Sequence, residues 1–189
     1  MTDFFTRYCK KFSLLAVMAV FFCIFDAAAD NIQVKHAQLT AVGESYQLEA
    51  DFDIEFSPEV EAALSKGVPL DFLLEFQLVA PRDYWFDDEI VTVSQHIRFS
   101  FHALSRQYLV MVGRHQKSFA TLEEAKDELA VLRNWLVLDK SQVVKGETYQ
   151  ASLRLRLDPT SLPKALQVEA LGSEKWTLLS ERYRWTPVF

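Results

Sequence analysis

The sequence predicts a mainly β fold: an antiparallel, immunoglobulin-like two-layer sandwich with two or three short helices. Three observations predict it. Long segments alternate strictly between apolar and polar residues, turn signals recur at short spacing, and only a few stretches carry helix caps. Alternation with period two is what a strand needs when one face meets the core and the other meets water. Several such half-apolar strands in one small domain are best buried sheet on sheet. A single curved antiparallel sheet packed on a helix, an α+β fold, is the alternative.

Residues 32–39 open the β pattern. In 46–56, Tyr46, Leu48, Ala50, Phe52, Ile54 and Phe56 alternate with Gln47, Glu49, Asp51, Asp53 and Glu55. Ser57-Pro58-Glu59 then offers a cap, a proline at the first helical position and an early acid, and Gly67 stops that helix. Residues 68–80 are apolar almost throughout, which predicts a strand covered on both faces. In 91–102, Val91, Val93, Ile97, Phe99 and Phe101 alternate with Thr92, Ser94, His96, Arg98, Ser100 and His102, and only Gln95 interrupts the apolar face. Residues 108–112 and 135–138 read as shorter strands. Between them Thr121-Leu122-Glu123-Glu124 is a capping box, with Leu122, Ala125, Leu129 and Leu132 on one helix face. Tyr149, Ala151, Leu153, Leu155 and Leu157 alternate with Gln150, Ser152, Arg154, Arg156 and Asp158. Asp158-Pro159 begins a third helical or looped segment containing Pro163, and 176–185 reads as the last strand.

The first residues read as an address. Arg7, Lys10 and Lys11 precede a 14-residue apolar run over 12–25, and Ala27-Ala28-Ala29 supplies a small-x-small cleavage site. That run is short of the roughly 20 residues a spanning helix needs. Residues 1–29 are therefore predicted to be a cleaved signal peptide and 30–189 a single globular domain. Periplasmic localisation follows, and anchoring in the inner membrane by an uncleaved segment is the alternative. The whole chain has 189 residues, 20 Lys+Arg, 26 Asp+Glu and 2 Cys. Both cysteines, three basic and two acidic residues fall in 1–29, so the 160 residues that follow carry net −7 and no cysteine. Thiol nucleophiles, thiolate metal sites and disulfides are excluded from that domain. The acidic balance argues against nucleic acid, which recruits a basic footprint.

Chemistry is sparse. His96 and His102 share a strand face but lie six residues apart, about 20 Å at strand rise and too far to share an ion. His36 and His115 are isolated, and no His-Glu-x-x-His spacing occurs. Ser161-Leu162-Pro163-Lys164 matches a Ser-x-x-Lys pattern, yet its companion motifs are missing and Pro163 sits inside it. With five glycines there is no phosphate loop and no Gly-x-Ser-x-Gly elbow. Tyr84-Trp85-Phe86-Asp87-Asp88-Glu89 is the most unusual segment. It reads as a strand ending in core aromatics before a solvated acidic turn, as a recognition loop, or as part of a hard-cation site. Arg154 and Arg156 with Arg182 and Arg184 form a basic stripe, to be spent on cross-strand carboxylates or on an anionic ligand.

A series of weak motifs carries a family resemblance by its order. It runs through Gly67-Val68-Pro69-Leu70, Arg82 with Tyr84-Trp85, and Phe101-His102-Ala103-Leu104-Ser105-Arg106-Gln107-Tyr108. Phe119-Ala120-Thr121-Leu122, Leu157-Asp158, Leu162-Pro163 and Gln167 follow, and Trp176 and Ser180-Glu181-Arg182-Tyr183-Arg184-Trp185 close it. Over roughly residues 36–185 the chain resembles the exported proteobacterial family catalogued as domain of unknown function 4390. The resemblance implies an exported single-domain protein and carries over no catalytic residue, metal or cofactor.

The function expected from these readings is a non-catalytic periplasmic module that binds a partner protein or envelope component. It would touch a membrane only through an uncleaved N-terminal segment. Trp85, His96, Arg98, His102 and Arg106 are the candidate binding residues. A carboxylate- or metal-dependent hydrolase of envelope polymers and an anion- or lipid-binding domain are the alternatives.

Overall fold

The computed structural model describes residues 32–189, and the predicted signal peptide lies outside the described residues. Described in order are β1 (Ile32–Val42), β2 (Ser45–Ile54), α1 (Pro58–Ser65), β3 (Leu70–Ala80), β4 (Asp88–His102), β5 (Gln107–Val112) and β6 (His115–Phe119). Then come α2 (Leu122–Leu129), β7 (Val131–Asp139), β8 (Gln150–Leu157), α3 (Lys164–Gly172) and β9 (Tyr183–Trp185). All strand ladders are antiparallel. They make a three-stranded sheet, β1-β2-β7, and a six-stranded sheet, β6-β5-β4-β3-β8-β9. The two-layer β-sandwich with short helices is thus the fold, in place of one curved sheet.

The alternating segments became the strands that organise the core. Leu48, Ala50, Phe52 and Ile54 of β2 are buried, as are Phe72, Leu74, Phe76 and Leu78 of β3 and Leu153, Leu155 and Leu157 of β8. These inward faces join in one apolar cluster between the sheets. Both predicted caps form. Ser57 Oγ accepts the Val60 N–H at 3.3 Å. In α2, Thr121 Oγ1 accepts the Glu124 N–H at 3.2 Å while Glu124 Oε2 accepts the Thr121 N–H at 3.3 Å.

Four readings need correction. Leu132 is not on the α2 face, because the helix ends at Leu129 and Leu132 is a buried residue of β7. β3 is covered on one face only: Asp71, Leu73, Glu75 and Gln77 on the other face are half-buried. Its apolar excess comes mainly from Leu73 and from Val79 at the strand end, where a register shift follows Leu78. Tyr84, Trp85 and Phe86 are not core aromatics closing a strand; they stand 97, 76 and 86% exposed in the loop between β3 and β4. The last strand is only Tyr183–Trp185, preceded by a 3-10 turn over Glu174–Trp176 and single bridges at Leu179 and Ser180. β6 was not foreseen. It has almost no apolar residue and exists as an edge strand because Gly113, at φ +59°, turns the chain back along β5.

β7 is irregular. Leu48 of β2 pairs with Trp135 while Ala50 pairs with Leu132, so three steps on β7 oppose two on β2. The extra residue is a bulge, and Asn134 sits in it at φ +58°, a conformation asparagine tolerates better than most side chains. Arg133 holds the bulge closed. Its Nη1 donates to the carbonyls of Ala50 (2.9 Å) and Leu132 (2.7 Å), and its Nη2 to Asp51 Oδ1 (2.5 Å).

Candidate functional site

Three strands cannot cover six. At about 4.8 Å between strands, six span roughly 24 Å and three roughly 10 Å. Half of the larger sheet's inner face therefore needs another cover. β1 lies against β8 and β7 reaches β4, while α2 packs across β5, β6 and β7. An eight-residue helix is too small to seal that flank. What it leaves is a half-open cleft of about 690 Å³ between β4–β6, α2 and β7.

The cleft is apolar below and polar at its mouth. Phe52, Leu74, Ile97, Val110, Leu132 and Leu155 make the floor, and Leu129 of α2 forms a wall. His115 and Lys117 reach it because they pair with Val112 and Val110, whose side chains face inward. Arg133 and Asn134 reach it because the bulge turns β7 toward the opening. Lys117 Nζ meets Glu128 Oε1 at 2.7 Å, which ties α2 to the edge strand.

Gln95 is the unusual member. It stands opposite Leu74 on the inner face of the six-stranded sheet, and its Oε1 is buried with no hydrogen-bond partner among the described residues. An unmet buried acceptor costs about 1–3 kcal/mol unless something donates to it. The cleft's acids are partly committed to the fold: Glu124 Oε2 accepts the Ala120 and Thr121 N–H groups, and Glu128 holds Lys117. Among the described residues no group of three or more His, Cys, Asp or Glu converges as a metal site would require.

The five residues singled out from sequence lie elsewhere and apart. His96 and Arg98 share the outer face of the six-stranded sheet, in a shallow depression with Asp71 and Asp158. Arg98 is already engaged, with Nε to Asp71 Oδ1 at 2.6 Å and Nη2 to Oδ2 at 3.0 Å, and this bond raises its pKa further. The Asp158 carboxyl lies below its usual range, chiefly because the Thr160 hydroxyl donates to it, with smaller help from the Thr160 N–H and the charges of Arg156 and His96. His102 ends β4, where its Nδ1 accepts the Ser105 N–H at 3.3 Å. Arg106 occupies the same hairpin turn at φ +53°. Trp85 is at the other end of β4, roughly 45 Å away along the strand. So His96 joins Arg98, His102 joins Arg106, and Trp85 joins neither. The cleft itself had one sequence trace, the glutamine that interrupts β4's apolar face. Lys117, Arg133 and Asn134 had none, since an edge strand and a bulge place them.

No curated protein and no solved structure matches the chain. A family profile does, over residues 29–186, described as a domain of unknown function. That span takes in every described strand and helix, the cleft and all five singled-out residues. The order of motifs in the sequence and the match over most of the chain agree: the chain belongs to the DUF4390 family.

Proposed function

We propose that the protein is a non-catalytic binding module of the cell envelope, and that it holds an apolar or amphipathic envelope component in the cleft between its sheets. One observation carries this: a cleft of about 690 Å³ whose apolar floor contains a buried, unpartnered Gln95 Oε1. The volume falls within the range of about 300–1,000 Å³ usual for small-molecule pockets, and an apolar floor with a few placed polar groups is their common chemistry. The unpartnered oxygen calls for a ligand hydroxyl or N–H, while Lys117 and Arg133 at the mouth are already paired with Glu128 and Asp51. Glu124 and Glu128 are occupied by capping and by Lys117, which favours binding over general acid–base work.

Export to the periplasm is part of the proposal and rests on residues 1–29. Cell fractionation with N-terminal sequencing tests it: a soluble periplasmic chain beginning at Asp30 is the expected result. A full-length chain held in the membrane fraction would replace cleavage with an anchor. For the cleft, the chain is titrated with a long-chain fatty acid carrying an environment-sensitive fluorophore. Saturable binding is expected, lost in Leu132→Trp, which fills the floor, and weakened in Gln95→Leu. Unfolding midpoints of both variants separate a blocked cleft from a broken fold. Absence of saturable binding to the parent chain would sink this reading.

A further inference from the structure

We propose that the amphiphile held in the cleft carries a neutral, hydroxyl-rich head group, as an alkyl or acyl glycoside does, rather than an anionic or cationic one. This rests on the reading of the cleft as an amphiphile site and names the head group that the site selects.

The buried acceptor stands toward one end of the cleft. Gln95 is one same-face step along β4, about 7 Å, from Ile97. The cross-strand row through Ile97 runs over Val112 to His115, where the β5–β6 hairpin turns. A head group seated at the mouth beside His115 can therefore reach toward Gln95 while its alkyl tail lies on the apolar floor.

Charge at the mouth argues against an anion. Glu124, Asp127 and Glu128 line the cleft against Lys117 and Arg133, and Asp51, which holds Arg133, adds a fourth acid. Pairing leaves all of these charges in place, so the mouth is net negative and repels a carboxylate or phosphate. Such an ionised head also only accepts hydrogen bonds, whereas Gln95 Oε1 needs a donor. An ammonium head would donate. Reaching a buried oxygen takes it out of water, however, and burying a charge costs far more than burying a hydroxyl that finds its partner.

The uncommitted side chains match hydroxyls in the same way. Among the described residues, His115, Asp127 and Asn134 make no side-chain hydrogen bond or ion pair. Asp127 accepts, while Asn134 and a neutral His115 each donate and accept. A sugar hydroxyl does both as well, and so can use every one of them. Trp135, half-buried and paired with inward-facing Leu48, lines the cleft beside Asn134. The negative face of an indole ring attracts the polarised C–H edge of a pyranose.

The test titrates the chain as cells produce it with dodecyl glucoside, dodecanoate and dodecyltrimethylammonium, each below its micellar concentration, by calorimetry. The three share one tail, so differences between them report the head group. Dodecyl glucoside is expected to bind at least about tenfold more tightly than either charged amphiphile. Leu132→Trp, which fills the floor, should abolish saturable binding of all three and so assign it to the cleft. Replacing Asp127→Ala and Asn134→Gly together should weaken dodecyl glucoside about tenfold and leave dodecanoate unchanged or tighter. Glycine keeps the φ of +58° at position 134, and a circular-dichroism melt checks the fold. Asp127→Ala alone, at an exposed helix position, serves if the pair unfolds. If either charged amphiphile binds as tightly as the glucoside, or if the mouth variants weaken all three alike, this proposal is overturned and the cleft reading stands. If none of the three saturates, the cleft reading itself fails and takes this proposal with it.

Discussion

The inner face of the six-stranded sheet divides into a closed half and an open half, and the same kind of residue does different work in each. Where β1 lies against β8, Phe72, Phe76 and Leu153 have no exposed surface, and Phe56 stacks on Phe72 with ring centroids 6.1 Å apart. Under β4 and β5, Ile97 and Val110 are almost as buried, at 6% and 3%, yet they line the cleft. Low exposure alone does not mean close packing. A side chain beside a gap lacks contact atoms on one side and forfeits part of its dispersion energy. The closed half therefore holds the fold together, and the open half is where a ligand gains most from entering.

The largest expected effect tests that division directly. Leu153→Ala and Ile97→Ala remove a similar volume from β8 and β4. In the closed half a new cavity forms, and the loss should be about 4 kcal/mol, toward the upper end of such substitutions. In the open half the space joins an existing cleft, and about 2 kcal/mol is expected. Urea unfolding of the two variants measures the difference. Equal losses would mean that the cleft closes in solution.

Gln95→Leu sharpens the comparison at a smaller scale. Removing an unpartnered buried oxygen should stabilise the protein by about 1 kcal/mol while weakening uptake of the fatty-acid probe. Stability and function then move in opposite directions at one residue, as they do where a site carries strain or an unmet group for the sake of its ligand. A clear loss of stability would show that Gln95 Oε1 has a partner in solution, and the open half would then differ less from the closed one.

The closed half was legible in the sequence because its rules are local. Period-two alternation in β2 and β8 sets which face is buried, and Ser57-Pro58 marks a helix start whose hydrogen bonds are made within one turn. The open half was not, because nothing in β6 or β7 alone says that three strands will face six. His115–Phe119 has no alternation to read, and Asn134 acquires its left-handed backbone from a register difference with β2. Gln95 was visible as an exception but not as a site, since an interrupted face becomes a cleft only when the opposite sheet stops short. The polar outer-face residues stood out for the opposite reason. Charged residues on a strand draw attention, and the structure shows Arg98 and Arg156 already joined to Asp71 and Glu75.

That outer face supplies the smallest expected effect, a pH dependence that the inner face should lack. Asp158 accepts the Thr160 hydroxyl at 2.7 Å and its N–H at 3.0 Å, closing the 3-10 turn over Pro159–Ser161, and these bonds with Arg156 and His96 hold its carboxyl below the usual value. A carboxyl whose folded pKa is depressed adds stability that is present above its unfolded value, near 4, and is lost as pH falls through the folded one. The group is partly exposed and water screens it, so its share is about 0.5 kcal/mol or less. Asp158→Asn keeps an acceptor but removes the titration. Its stability at neutral pH should drop slightly, and its stability should decline less steeply than the parent's once pH falls below about 4. Gln95→Leu, on the other face of the same sheet, should shift the whole curve without changing its slope. Parallel acid limbs for Asp158→Asn and the parent would remove Asp158 from the account. A changed slope in Gln95→Leu would mean that the two faces are coupled through the sheet and cannot be read as separate regions.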